Sequence, residues 1–312
     1  MRFILLGTVM TWAAAVGAQT IDATIDQSPT APAAAQAPAP ASGTDVSLRQ
    51  KNLWGNQSYW NSDTYVAARL PYGFDLNAEF NDYKDESSTQ ATPTTTFGAG
   101  WTHGLTTLFA SYGISSLANN SEGNATDVGV TMKSDDREFR TILTADVNVT
   151  HDDQYLRFPN RTVDQGITER TPTMSLTQRF FGALDANVTL SQSHYNVDIL
   201  ALTELLNRPR YQKLLGANDS SLAGLVDGFP DWTAKYQLKY YFDELPLTLK
   251  AYYETIHLVN TANGTNQTSD VEDYVAEYDV RRWLTVGLEY QHYRQTSQPT
   301  IDEYGASAAV RY

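Results

Sequence analysis

From about Asp45 onward the sequence runs in a two-residue rhythm. Between 74 and 83, Phe74, Leu76, Ala78 and Phe80 share one face while Asp75, Asn77, Glu79 and Asn81 share the other, the signature of a strand with one apolar face. Six segments repeat the pattern. Their apolar faces are Leu143 to Val149, Leu184 to Leu190, Trp232 to Tyr240, Leu247 to Tyr253, Tyr274 to Val280 and Leu284 to Tyr290. Weaker strands are read at 65–70, 94–102, 105–114, 126–133 and 171–180. The final stretch, Tyr304 to Tyr312, alternates Tyr304, Ala306, Ala308, Val310 and Tyr312 against Gly305, Ser307, Ala309 and Arg311. A strand ending on a bulky Tyr is expected to be held, most simply by closing a barrel against the first strand.

Alternation alone does not say which face meets water, because a soluble sandwich turns its apolar face inward and a membrane barrel turns it to lipid. Three features decide for the barrel. Connections alternate in length: Pro71-Tyr72-Gly73, His103-Gly104, Ser134-Asp135-Asp136, Phe181-Gly182, 243–246 and Arg281-Arg282 are tight, and those between them are long and polar. Aromatic residues collect at strand ends. Tyr72, Trp101, Phe180, Tyr240, Phe242, Trp283 and Tyr312 lie near the tight turns; Tyr83, Phe97, Tyr112, Tyr195, Trp232, Tyr253, Tyr274 and Tyr290 lie near the long loops. After the N-terminal segment, no apolar run is long enough for a transmembrane helix.

Composition adds a compartment and removes some chemistry. Residues 1–18, with Arg2 before an apolar run and Val16-Gly17-Ala18 at its end, read as a signal peptide. Residues 19–44 are rich in Ala and Pro and read as a disordered periplasmic tether, either a plain spacer or a contact for peptidoglycan or a partner. Residues 45–312 form the barrel, including a long loop at 196–230. In that loop Val197, Ile199, Leu200, Leu202, Leu205 and Leu206 have helical spacing, so it is expected to be partly helical, folded into the lumen, capping the barrel or packed on itself. The net charge of -14 argues against nucleic acid as a partner, and zero cysteines exclude disulfides and thiolate metal sites.

With this signal, these strands, the turn asymmetry and the terminal aromatic strand, residues 45–312 resemble Gram-negative outer-membrane β-barrel proteins of the porin-like class. The resemblance implies an all-β, closed, antiparallel, up-and-down transmembrane barrel in the bacterial outer membrane, its N-terminal tether in the periplasm. It also implies that the barrel-assembly machinery recognises the last strand, a role that falls on Tyr304, Val310 and Tyr312. Tight periplasmic turns make the segments before Pro71 and at the end both run downward. An even strand count then requires an upward strand at Asp45 to Leu53, paired with the last one, for a total of about 14 strands with about 12 to 16 as the range.

Function in such a barrel would lie on its inner, polar face. The candidate pore-lining residues are Asp75, Glu79, Asp146, Lys235, Lys239, Asp273, Glu277, Asp279 and Glu289, and the grouping of Asp273, Glu277, Asp279 and Glu289 predicts a locally negative wall with weak cation preference. Each could equally belong to a structural ion-pair network. The expected function is passive diffusion of small solutes or ions, with outer-membrane lipid as surroundings; the alternative is a closed structural or interaction barrel that binds a ligand or partner through its loops or lumen. Homo-oligomerisation stays open. The best acid/base and nucleophile positions are His151-Asp152-Asp153 and Ser193-His194, but neither has a third partner that the sequence identifies. His103, His257 and His292 have no metal-site spacing, and no cofactor or metal is implied.

Overall fold

The computed structural model describes residues 44–56, 60–84, 92–116, 122–158, 161–196, 229–259, 266–295 and 300–312. The signal segment, nearly all of the tether and the helix-patterned stretch from Val197 to Leu206 lie outside the described residues.

The strands are β1 Asp45–Gly55, β2 Trp60–Arg69, β3 Phe74–Lys84, β4 Thr92–His103, β5 Thr106–Ser116, β6 Glu122–Lys133, β7 Thr141–Phe158, β8 Arg161–Phe180 and β9 Leu184–Gln192. They continue as β10 His194–Tyr195, β11 Phe229–Tyr241, β12 Leu247–Val259, β13 Asn266–Arg281, β14 Leu284–Gln295 and β15 Ile301–Arg311. All belong to one antiparallel sheet. Beyond the end of β9, the two residues of β10 pair with β8 at Arg170 and Glu169, so β10 prolongs a stave and the ring has 14. Pairing of β15 with β1 and of β8 with β9 closes it.

The closure is the one the parity argument requires. Ser47 faces Arg311, Leu48 faces Val310 and Trp54 faces Tyr304, while Tyr312 exchanges backbone hydrogen bonds with Val46 at 3.1 and 2.8 Å. Closing the ring leaves no edge strand along the wall, which a lipid-facing sheet needs because lipid offers no hydrogen bonds to unpaired backbone.

Strand parity sets the two faces. Leu76, Leu108, Val128, Val147, Met174, Leu176, Leu190, Leu238 and Leu288 are exposed on the outside. Asp63, Asp127, Asp146, Thr144, Thr177, Arg179, Asp185, Asn187, Gln237 and Lys239 are buried on the inside. A Lys or Arg on the lipid face would cost about 2–4 kcal/mol at mid-membrane, so the alternation is energetically pinned. Exposed aromatics mark both ends of the wall: Tyr72, Phe74, Trp101, Phe181, Trp283 and Tyr312 near the short connections, and Trp54, Phe97, Tyr112, Trp232, Tyr274 and Tyr304 near the long ones.

The short connections follow from local geometry. Pro71–Gly73 is one turn of 3-10 helix, with Tyr72 at φ 67° and Gly73 at φ 81°. A Cβ on Gly73 would run into the Thr102 carbonyl, so glycine is required there for space as well as for φ. The connection read at Ser134-Asp135-Asp136 is longer, running from 134 to 140. Asp136 Oδ1 accepts from the Glu138 and Phe139 amides at 2.9 Å, and the Phe139 ring meets Phe181 edge-on at 5.3 Å.

Two further sequence expectations are corrected. The polar stretch between Thr150 and Thr171, expected as an outer loop, is largely strand: β7 and β8 pair in continuous register from Thr141↔Gln178 to Phe158↔Arg161. A cross-strand ladder organises this polar sequence where apolar alternation gives no signal. Tyr195 is not part of the outer aromatic level; it pairs with Glu169 on the inward face, and its hydroxyl donates to the Pro230 carbonyl at 2.8 Å.

Candidate functional site in the barrel interior

The inner face is built by the polar half of each dyad, and most of its charges are spent on one another. Near the short-turn end, Arg179 donates from Nε and Nη2 to the two carboxylate oxygens of Asp185, both at 2.7 Å, with both side chains 5% exposed. Tyr241 completes the group: its hydroxyl donates to Asp185 Oδ2 at 3.0 Å, and the guanidinium lies 5.1 Å from its ring centroid. Lys239, 1% exposed, sits 4.9 Å over the same ring. β8, β9 and β11 bring these together because Arg179 faces Asp185 and Asp185 faces Lys239 in register.

Four further ion pairs cross the inner wall, three between neighbouring strands and one, Lys51 to Glu289, from β1 over β15 to β14. Arg49 meets Asp63 at 3.2 Å, Lys51 meets Glu289 at 2.8 Å, Lys250 meets Glu277 at 2.8 Å and Lys235 approaches Glu254 at 3.9 Å. Arg69 and Asp75 form a more exposed pair at 3.2 Å. Arg49 also lies 5.3 Å from the Tyr65 ring centroid, and Lys235 lies 5.5 Å from that of Tyr252.

The nine sequence candidates all fall on inward-facing register positions but do not gather at one place. Asp75 pairs with Arg69, Glu277 with Lys250, Glu289 with Lys51 and Lys235 with Glu254. Glu79 faces Tyr65 and Thr96, Asp273 faces Tyr252 and Gln291, and Asp279 accepts from Thr285 Oγ1 at 2.5 Å. Of the four acids expected to form a negative wall, Glu277 and Glu289 are thus neutralised by lysines on β12 and β1.

A different acidic feature stands out. Asp127 on β6 and Asp146 on β7, each 6% exposed, are separated by one diagonal step of the ladder, since Asp127 faces Asn148 and Asp146 faces Gly129. One oxygen of each, Asp127 Oδ1 and Asp146 Oδ2, is buried without a hydrogen-bond partner, and among the described residues neither carboxylate has an ion-pair partner. Gly129 makes room for the arrangement: a Cβ there would meet the Phe109 ring, the Asp146 Cβ at 2.6 Å and the Ala145 carbonyl at 2.8 Å. Nothing in the pattern of β6 or β7 signals that Asp127 and Asp146, unlike Glu277 or Glu289, lack a cation. That depends on register between strands, which a single strand's pattern does not carry.

His151 Nδ1 lies 3.0 Å from Thr168 Oγ1, Ser193 Oγ lies 3.2 Å from Thr171 Oγ1, and His194 is exposed on β10. The side chains of Asp152 and Asp153 lie outside the described ones. His103 stacks on Trp101, His257 stacks on Trp232 with Asp231 3.4 Å away, and His292 lies 2.8 Å from Asp302. Among the described residues, no group of three or more His, Asp or Glu is placed to hold a metal ion.

No protein-family model matches the sequence, and no curated protein matches it. Solved structures do. A loop L8 deletion mutant of OmpT, an outer membrane protein of Vibrio cholerae, is similar at a TM-score of 0.48 and 11% identity, over 86% of this chain and 98% of that one. OpdK of Pseudomonas aeruginosa with vanillate has a TM-score of 0.43 at 11% identity, over 86% and 98% of the two chains. The KdgM porin in complex with disordered oligogalacturonate has 0.41 at 9% identity, over 85% and 98%. Identities this low speak to the fold alone, and no property of those proteins passes to this chain through them.

Proposed function

We propose that this barrel is an outer-membrane channel for passive diffusion of small solutes or ions, with a weak preference for cations. The observation that carries the channel reading is the closed ring of 14 strands with a polar inner face and an apolar outer one. A ring of this size lies between barrels filled by their own side chains and those enclosing an aqueous passage. For charge preference, the support is Asp127 and Asp146, two adjacent buried inward acids with no ion-pair partner among the described residues. Paired acids are offset by their lysines and arginines, so an unpaired pair dominates the local field.

The remaining roles follow the same reading. Residues 19–44 act as a periplasmic tether, and Tyr304, Val310 and Tyr312, all on outward register positions of the last stave or at its end, present the assembly signal. The second reading, a non-conducting barrel that binds a ligand or partner, draws support from how deeply inner side chains are buried: Lys239 at 1%, Ser269 at 1% and Gln237 at 3%. Purified protein in planar bilayers decides between them. Stepwise conductance with a reversal potential on the cation side supports the channel; a silent bilayer after confirmed insertion rejects it in favour of the closed barrel.

A further inference from the structure

The outer wall has one stretch that does not suit lipid. Between Trp54 and Leu48 on β1, the outward residues are Asn52 and Gln50; between their partners Trp60 and Val66 on β2, they are Ser62 and Thr64. This polar square lies inside the membrane-facing zone, bracketed by the Trp54 and Trp60 pair on one side and by the Leu48 and Val66 pair on the other. Elsewhere the interior of that zone presents residues such as Leu108, Val147, Leu238, Leu249 and Leu288.

Part of the square satisfies itself. Thr64 Oγ1 donates to Gln50 Oε1, and Gln50 Nε2 donates to Ser62 Oγ at 3.0 Å. The Asn52 amide makes no hydrogen bond among the described residues, although it faces Ser62 on one side and Ala306 on the other. An amide turned to hydrocarbon with no partner is costly, because lipid chains supply neither donor nor acceptor. On its β15 side the square is low in relief, with Ala306 beside Asn52 and Ala308 beside Gln50, so another wall can approach closely there; on its β3 side Phe80 and Asp82 stand beside Thr64 and Ser62 and bound the face.

We propose that this face of β15, β1 and β2 is the contact between two copies of the chain within the membrane. Copies inserted in the same direction are related by rotation about the membrane normal, so each residue meets its partner's surface at its own depth. A carboxylate or ammonium at that depth would face its own sign. The square holds no charge, and amides and hydroxyls each carry donor and acceptor together, so Gln50, Asn52, Ser62 and Thr64 can pair with their own copies. This chemistry is self-complementary, which an interface with an unrelated protein does not require. The inference is independent of whether the lumen conducts.

The absence of cysteine makes the test direct. Asn52→Cys and, as control, Val128→Cys on the 57% exposed outer face of β6 are expressed at full length and oxidised in isolated outer membranes. The expected result is a disulfide-linked dimer from Asn52→Cys, at least several-fold more abundant than from Val128→Cys. The purified wild-type mass should also be a multiple of the chain, reduced to a monomer by Asn52→Leu with Gln50→Leu. Heat-modifiable migration confirms that each variant is folded. Equal cross-linking at both positions, a monomeric wild type, or a cross-link from Asn52→Cys to a different protein each overturns the proposal.

Discussion

Arg179 and Asp185 form a bidentate ion pair, two hydrogen bonds of 2.7 Å with both side chains 5% exposed, on adjacent strands of the inner wall. Removing one member leaves the other buried and uncompensated. Arg179→Ala is therefore expected to destabilise the barrel by roughly 3–5 kcal/mol, and Asp185→Asn by somewhat less because the Asn carbonyl still accepts one bond. Urea unfolding followed by the loss of heat-modifiable migration measures it. A change under about 1 kcal/mol would place this pair with exposed ion pairs.

Gly129 holds a second tight position. Gly129→Ala puts a methyl against the Phe109 ring, the Asp146 Cβ and the Ala145 carbonyl, one of them backbone that cannot step aside. The expected cost is about 1–3 kcal/mol, and Phe109→Ala in the same chain should recover part of it. Gly100, where the nearest contact would be 3.6 Å, is the control: Gly100→Ala should be close to neutral. The same unfolding assay reads all three.

On the proposed channel, charge preference should follow the acids that lack ion pairs. Asp127→Asn with Asp146→Asn is expected to move the reversal potential in a salt gradient toward the anion side. Lys51→Met with Glu289→Gln removes both members of a 2.8 Å pair and leaves the net charge unchanged, so it should shift the potential far less. Equal shifts from the two double variants would count against the assignment.

The proposed assembly signal separates from stability because the Tyr312 side chain is 82% exposed and Tyr304 is 62% exposed. Tyr312→Ser keeps the backbone bonds to Val46 and should change the unfolding midpoint little. Its folded fraction in growing cells should nonetheless fall several-fold. Unaltered assembly in Tyr304→Ser with Tyr312→Ser would remove the role from these residues.

Much of the architecture is legible in the chain because a lipid-facing strand must alternate strictly. Phe74 to Asn81 and Leu284 to Gln291 declare their faces, and the parity of up and down strands alone demands β1. Two kinds of feature stay hidden. The upper parts of β7 and β8 carry polar residues on both faces, so nothing in their pattern distinguishes ladder from loop. Ion pairing depends on register: Glu289 looks as free in sequence as Asp146 does, until β1, far away in the chain, brings Lys51 to within 2.8 Å. The dyad says which side chains point inward, and only the ladder says which of them find partners.

The length of the β7 and β8 pair changes what the outside of the cell would meet. Pairing of β6 to β7 stops at Gly123↔Asp152, and pairing to β8 on its other side stops with β10 at Tyr195↔Glu169, yet β7 and β8 go on together to Phe158↔Arg161. At about 3.3 Å per residue, the 18 residues of β7 extend roughly 60 Å, about twice the hydrocarbon thickness. The pair is a mast as well as two staves. Its upper part goes on as a two-stranded ribbon past the last pairing of its neighbours, so a label or epitope inserted near its end is expected to be reached from outside without disturbing the wall below.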